Sequence, residues 1–151
     1  MARVGRASRN SSLLRVETLD LTADKTMGAA ESGEVYITTA DPAANRTLTL
    51  PAAKEGAYVK VIVGLLITSA NLIIKTSGSA LIIGNILFND TDGTSTTDAP
   101  FVIGDSENTL TLLGTDDGTL AGSYVELICD GTNWYVTGQV IADQVPTFTS
   151  T

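Results

Sequence analysis

The chain has 151 residues, a formal net charge of −8 and 43% hydrophobic residues, of which few are aromatic; that fits one domain with a single core and excludes a two-domain enzyme. It contains no histidine and one cysteine, which excludes imidazole bases, Cys-His and Ser-His pairs, zinc sites built on several imidazoles or thiolates, and an internal disulfide. Threonine, at 22 residues, is the most used polar type, as expected of a β-protein.

Charge is unevenly placed. Residues 1–15 carry Arg3, Arg6, Arg9 and Arg15 and no acid, whereas residues 16–151 hold five Lys/Arg against seventeen Asp/Glu. An acidic body repels phosphate backbones, so no nucleic-acid partner is expected for it. Guanidinium forks suit carboxylates on a protein partner or a neighbouring copy. Residues 1–30 show no strand alternation of useful length and read as an extended basic arm anchored through the four arginines, with residues 31–151 as the folded domain. No apolar stretch follows the first arginines, so no secretory signal is expected and synthesis is assigned to a cytoplasm. The longest apolar run, residues 59–67, is broken by Lys60 and far too short for a span, so no membrane partner is expected.

From Glu34 onward, short alternating runs are separated by turn clusters. Strands are predicted at Val35–Thr38, Thr47–Leu50, Tyr58–Val63, Leu72–Thr76 and Leu81–Ile83. A polar loop over residues 89–99 follows, then strands at Phe101–Ile103 and Thr109–Leu112. Eight to nine strands with no 3.6-residue period predict an all-β, antiparallel β-sandwich of jelly-roll or Greek-key type.

The segment SYVELICDGTNWYVTG, residues 123–138, reads as a β-hairpin. Asp130-Gly131 suits a type I′ turn, which would pair Cys129 with Thr132, Leu127 with Trp134 and Val125 with Val136. Val125, Leu127, Trp134 and Val136 then form a core face, and Tyr124, Glu126, Tyr135 and Thr137 a wetter one. Tyr124 and Tyr135 are the candidate subunit-interface residues. Cys129 points inward as a small hydrophobe.

Paired acids at Asp116/Asp117, Asp90/Asp92 and Asp105/Glu107 raise a carboxylate-dependent hydrolase reading. Each pair sits in turn-like sequence, and a sugar cleft lined by aromatic platforms is poorly served by one tryptophan. Asp90-Thr91-Asp92-Gly93 resembles a calcium loop but lacks the acids the pattern needs at Phe88 and Ala99. No catalytic residue, metal ligand or cofactor is assigned.

Several pieces, ESGEVYITT, RTLTLPAAKEGAYVKVIV, NLIIKTSG, GSYVELICDGTNWYVTGQ and the closing PTFTST, appear in an order that resembles the capsid decoration, or cement, proteins of tailed bacteriophages. The resemblance runs from Glu31 to Thr151, about four-fifths of the chain, and omits the basic segment. It implies a β-sandwich, usually a homotrimer, seated on the outer virion surface, where it binds the major capsid protein lattice and holds neighbouring capsomers together. Similar hairpins close β-domains of phage fibres, which leaves a glycan-binding adhesion module as the alternative, with Tyr36, Tyr58, Tyr124 and Tyr135 as its candidate platforms.

Overall fold

The structure, a computed structural model, describes residues 15–28, 33–91, 93, 101–114 and 118–151. Twelve strands and no helix occur among them: β1 (Arg15–Leu19), β2 (Lys25–Thr26), β3 (Glu34–Thr38), β4 (Arg46–Thr49), β5 (Tyr58–Ile62), β6 (Leu72–Lys75), β7 (Ile82–Asp90), β8 (Phe101–Glu107), β9 (Thr109–Leu112), β10 (Tyr124–Cys129), β11 (Trp134–Ala142) and β12 (Thr147–Thr149). They form a seven-stranded sheet, ordered β1-β3-β5-β10-β11-β7-β8, and a five-stranded sheet, ordered β12-β9-β6-β4-β2.

Both sheets are mixed, which corrects the antiparallel expectation. In the first half of the chain successive strands alternate between the sheets, so that β1, β3 and β5 lie side by side in parallel in the large one and β2, β4 and β6 in the small one. The chain winds as a two-sheeted coil rather than folding back in hairpins. Its connections run five to nine residues, too long for tight hairpins but suited to crossing from one sheet to the other. In the second half the β10–β11 hairpin inserts between β5 and β7, antiparallel to β5 and parallel to β7. This order is neither a jelly roll nor a Greek key. Residues 15–28 also correct the arm: β1 and β2 belong to the sheets.

The coil is stitched at one corner by short polar side chains. Asp24 Oδ1 accepts the Thr47 N–H at 2.9 Å, Asn45 Oδ1 the Asn71 N–H at 3.0 Å, and Asn71 Oδ1 the Gly114 N–H at 3.0 Å. Each of the three stands immediately before a strand of the small sheet, where an Asx side chain satisfies backbone donors that the ladder has not yet reached. Asp41 clasps two turns together: its carboxylate accepts the N–H groups of Thr68 and Ser69 at 2.9 and 3.2 Å and their hydroxyls at 2.8 and 2.7 Å.

The two inner faces share one core. Val59, Val61, Val125, Leu127 and Trp134 from the large sheet meet Leu48, Leu72, Ile74, Leu110 and Leu112 from the small one, all essentially inaccessible, and each fully buried aliphatic side chain contributes about 1.5–3 kcal/mol. Gly84, at φ 137°, lies against the Val136 carbonyl; a side chain there would strike β11, so glycine lets β7 run beside it.

The hairpin differs in register from expectation. Cys129 pairs with Trp134, Leu127 with Val136 and Glu126 with Thr137. Asp130 does not adopt positive φ, whereas Gly131 does, at 101°, so a type I′ turn is excluded. The loop is instead four residues long, with Asp130 Oδ1 accepting the N–H groups of Thr132 and Asn133, both at 2.8 Å. Moving each pair by two positions preserves parity, and every side chain keeps its face. Val125, Leu127, Trp134, Val136 and Cys129 are all buried.

Candidate interaction face

Strand alternation that sends one set of residues into the core sends the other to the outer face of the large sheet. Neighbouring ladders bring these into cross-strand rows. One row runs Val16, Val35, Lys60, Glu126 and Thr137; the next runs Thr18, Ile37, Ile62, Tyr124, Gln139 and Leu87; a third contains Tyr58, Ile128, Tyr135 and Ile83. On β8, Val102 packs toward the core and Gly104 meets the Phe148 ring, so Phe101 and Ile103 point outward.

The face is rich in apolar side chains where a solvated sheet would show polar ones. Ile103 is 71% exposed, Val16 55%, Phe101 and Ile128 53% each, and Tyr135 43%. Tyr58, Ile128, Tyr135, Thr137, Glu126 and Leu127 line an open depression of about 210 Å³. The outer side of the small sheet is different: Thr47, Thr49, Thr111, Thr147, Thr149 and Lys75 stand there with one isoleucine, Ile73, and alternate with inward leucines and Ile74.

An ion pair sits amid the apolar rows. Lys60 Nζ lies 2.6 Å from Glu126 Oε1 and 4.6 Å from the centre of the Tyr124 ring. The hydrogen bond to Glu126 raises the Lys60 pKa, with partial burial opposing it, so Lys60 keeps its charge beside Glu126. Burial also raises the Tyr58 pKa, with the Glu126 charge adding to it. Tyr135 is fixed by its hydroxyl, which donates to Asp130 Oδ2 at 3.1 Å; that bond raises the tyrosine, while the N–H groups of Asn133 and Thr132 lower Asp130. The side chains are therefore held in place by local partners before any contact is made.

Of the residues singled out in the sequence, Tyr124 and Tyr135 both stand on this face, although Tyr124 is opposite Gln139 and Tyr135 opposite Ile128 rather than in the expected pairs. Tyr36 is buried in the core, its hydroxyl 3.3 Å from Glu34, and is withdrawn as a glycan platform. Arg15 is not on a free arm: it opens β1 and lies 3.6 Å from Glu34. Arg3, Arg6, Arg9, Asp92, Asp116 and Asp117 lie outside the described residues. Glu107 accepts the backbone N–H groups of Asp105 and Ser106 at 2.8 and 3.0 Å, which makes it a turn-capping acid at the crossing from β8 to β9.

Val16, Phe101, Ile103 and Ile128 were not picked out from sequence, although apolar residues in both phases of a strand were the available signal. Among the described residues no group of three or more His, Cys, Asp or Glu side chains is placed to hold a metal ion, and no helix is long and apolar enough to cross a membrane. No family model and no curated protein matches the sequence.

Proposed function

We propose that the chain is a capsid decoration, or cement, protein of a tailed bacteriophage, which sits on the outer surface of the virion as a homotrimer and stabilises the major capsid protein lattice. The observation that carries this reading is the apolar outer face of the seven-stranded sheet, a contiguous patch of the kind that marks protein contact. The likeness of residues 31–151 to decoration proteins supplies the identity of the partner. A cement protein needs a stiff body and many modest contacts, each reinforced by attachment at several points on one lattice. A sheet whose outward tyrosines are tethered and whose central charges are self-paired fits that requirement without a catalyst or cofactor.

The test is binding of purified protein to expanded, undecorated capsids. Saturable binding at a fixed stoichiometry, with greater resistance of the capsids to heat, is expected. Absence of binding at physiological salt contradicts the proposal.

The depression between Tyr58 and Tyr135 favours a second reading, a fibre or adhesion module for host glycans, because it sets two aromatic rings beside Glu126 and Thr137. A silent glycan array removes it.

A further inference from the structure

The two end strands of the seven-stranded sheet differ in what they leave unmatched. Beside β1, Glu17 lies 3.0 Å from Lys25 and Glu34 lies 3.6 Å from Arg15, so the acids there have cations next to them. At β8 they do not. Every Lys and Arg of the chain falls within residues 1–75, whereas residues 76–151, which supply β7 and β8, hold ten acids and no base. Asp105 Oδ1 accepts the Ser106 hydroxyl at 3.0 Å, and the N–H groups of Ser106 and Asp105 hold the Glu107 carboxyl below its ordinary pKa. Among the described residues neither carboxylate belongs to an ion pair.

The strand that carries them is also open. β8 is bonded to β7 on one side and ends the sheet on the other. Lysine and proline, which commonly blunt such an edge, do not occur within it. Its ladder with β7 runs in regular register over residues 101–104, and a bulge follows between Gly104 and Glu107. On the outward phase stand Phe101 and Ile103, 53% and 71% exposed, opposite Leu87 and Asn85. From its start toward the bulge, the edge thus presents two outward apolar side chains and then two acids with no cation.

We propose that β8 is a docking edge for an extended segment of another protein, one that alternates apolar side chains and carries Lys or Arg where it passes the bulge. The segment adds a strand to the sheet. Main-chain bonds hold it to β8, its apolar side chains lie beside Phe101 and Ile103, and its cations meet Asp105 and Glu107. Charge decides the chemistry of the occupant: a neutral or acidic strand leaves both carboxylates unmatched. A second copy fits poorly, because its own open edge, β1, brings Arg15, which already has Glu34 beside it. The proposal deepens the decoration reading, on which it rests only for the owner of the segment, the major capsid protein.

Amide shifts of the isotope-labelled full chain, followed by NMR during titration with two peptides, test it. One peptide alternates valine with threonine and ends in two lysines; its twin ends in two glutamates. The lysine peptide should shift the amides of residues 101–104 saturably, bind at least about tenfold more tightly than its twin, and weaken with added salt. Ile103→Lys and Asp105→Lys should each weaken it about tenfold; both positions are exposed, so folding is expected to survive, and circular dichroism checks it. No shift at β8, equal binding of the two peptides, or unaltered binding by the folded variants overturns the proposal. So do β8 shifts produced by raising the protein concentration alone, which make a second copy the occupant. Protein that saturates undecorated capsids while β8 ignores the lysine peptide overturns this proposal and leaves the decoration reading intact; protein that takes the peptide at β8 and ignores capsids does the reverse.

Discussion

The two outer faces of this molecule arise from one rule and end in opposite states. In the small sheet, alternation places leucine and isoleucine inward, Ile73 excepted, and threonine mostly outward, as in Arg46–Thr49 and Thr109–Leu112. In the large sheet the same alternation places Val59, Val61, Val125 and Leu127 inward, but the outward phase keeps Ile62, Tyr124, Ile128 and Tyr135. Burial of the core accounts for the first set in both sheets. It does not account for Ile128 and Tyr135, which stay exposed, since exposed apolar area on an isolated chain contributes nothing to its folding. The difference is what the proposed contact surface accounts for.

The largest effect is expected where the large sheet's two faces meet in sequence. Trp134→Ala removes a fully buried ring and should destabilise the fold by about 3–5 kcal/mol, read by urea denaturation. Its neighbour is the contrast: Tyr135→Ser should change stability by no more than about 1 kcal/mol, because the ring is exposed and holds only the Asp130 bond. Equal losses at the two positions break the distinction between the faces.

Next comes a comparison of the outer faces in binding. Ile128→Ser combined with Tyr135→Ser should weaken capsid binding at least tenfold, in line with about 1.4 kcal/mol or more lost from buried contact. Thr147→Ala on the small sheet should leave it unchanged. Titration against undecorated capsids reads both.

The Asx ladder gives a smaller effect confined to stability. Asn71→Ala deprives the Gly114 N–H of its acceptor and should cost about 1–2 kcal/mol, with capsid affinity unaffected in the folded fraction.

The smallest is set by pH. Partial burial raises the Asp41 pKa, but the hydroxyls of Ser69 and Thr68 and then their N–H groups outweigh it and hold the carboxyl at about 2, below its ordinary 3.8. A carboxyl depressed in the folded state binds fewer protons there than when unfolded, so its contribution is complete above about pH 4 and lost as pH falls through about 2. The stability difference between wild type and Asp41→Asn should therefore shrink across that window, followed by denaturation at successive pH values. A constant difference removes Asp41 from the acid response.

Sequence reading reached nine of the twelve strands, β7 and β8 only at their starts, and the core face of the hairpin, where the reason is parity: a register error of two positions moved every partner of Val125, Leu127 and Trp134 without turning one of them outward. It missed the direction of the ladders, because alternation has the same period in parallel and antiparallel strands. β1 was invisible for a related reason. RVETL sets Val16 and Leu19 three apart, in opposite phases, so no alternation marks it, and it is specified by its pairing with β3, a contact between distant parts of the chain. A usable signal did exist, an Asp or Asn directly before a short run in Asp24-Lys25-Thr26, Asn45-Arg46-Thr47 and Asn71-Leu72-Ile73; repeated at corresponding corners, it marks a coil rather than a set of hairpins. For the outer face, the tyrosines were legible and the aliphatics beside them were not, because Ile128 and Ile103 look like core residues until the sheet order shows which side they occupy.

The claim that the large sheet's outer face is a protein-contact surface is tested most directly by hydroxyl-radical labelling of the chain, free and bound to capsids. Oxidation of Tyr135, Ile128 and Phe101 should fall sharply in the assembled state while Thr47 and Thr147 on the small sheet stay as reactive as before. Unchanged labelling of those three residues in bound protein, with protection confined to the small sheet, would contradict it.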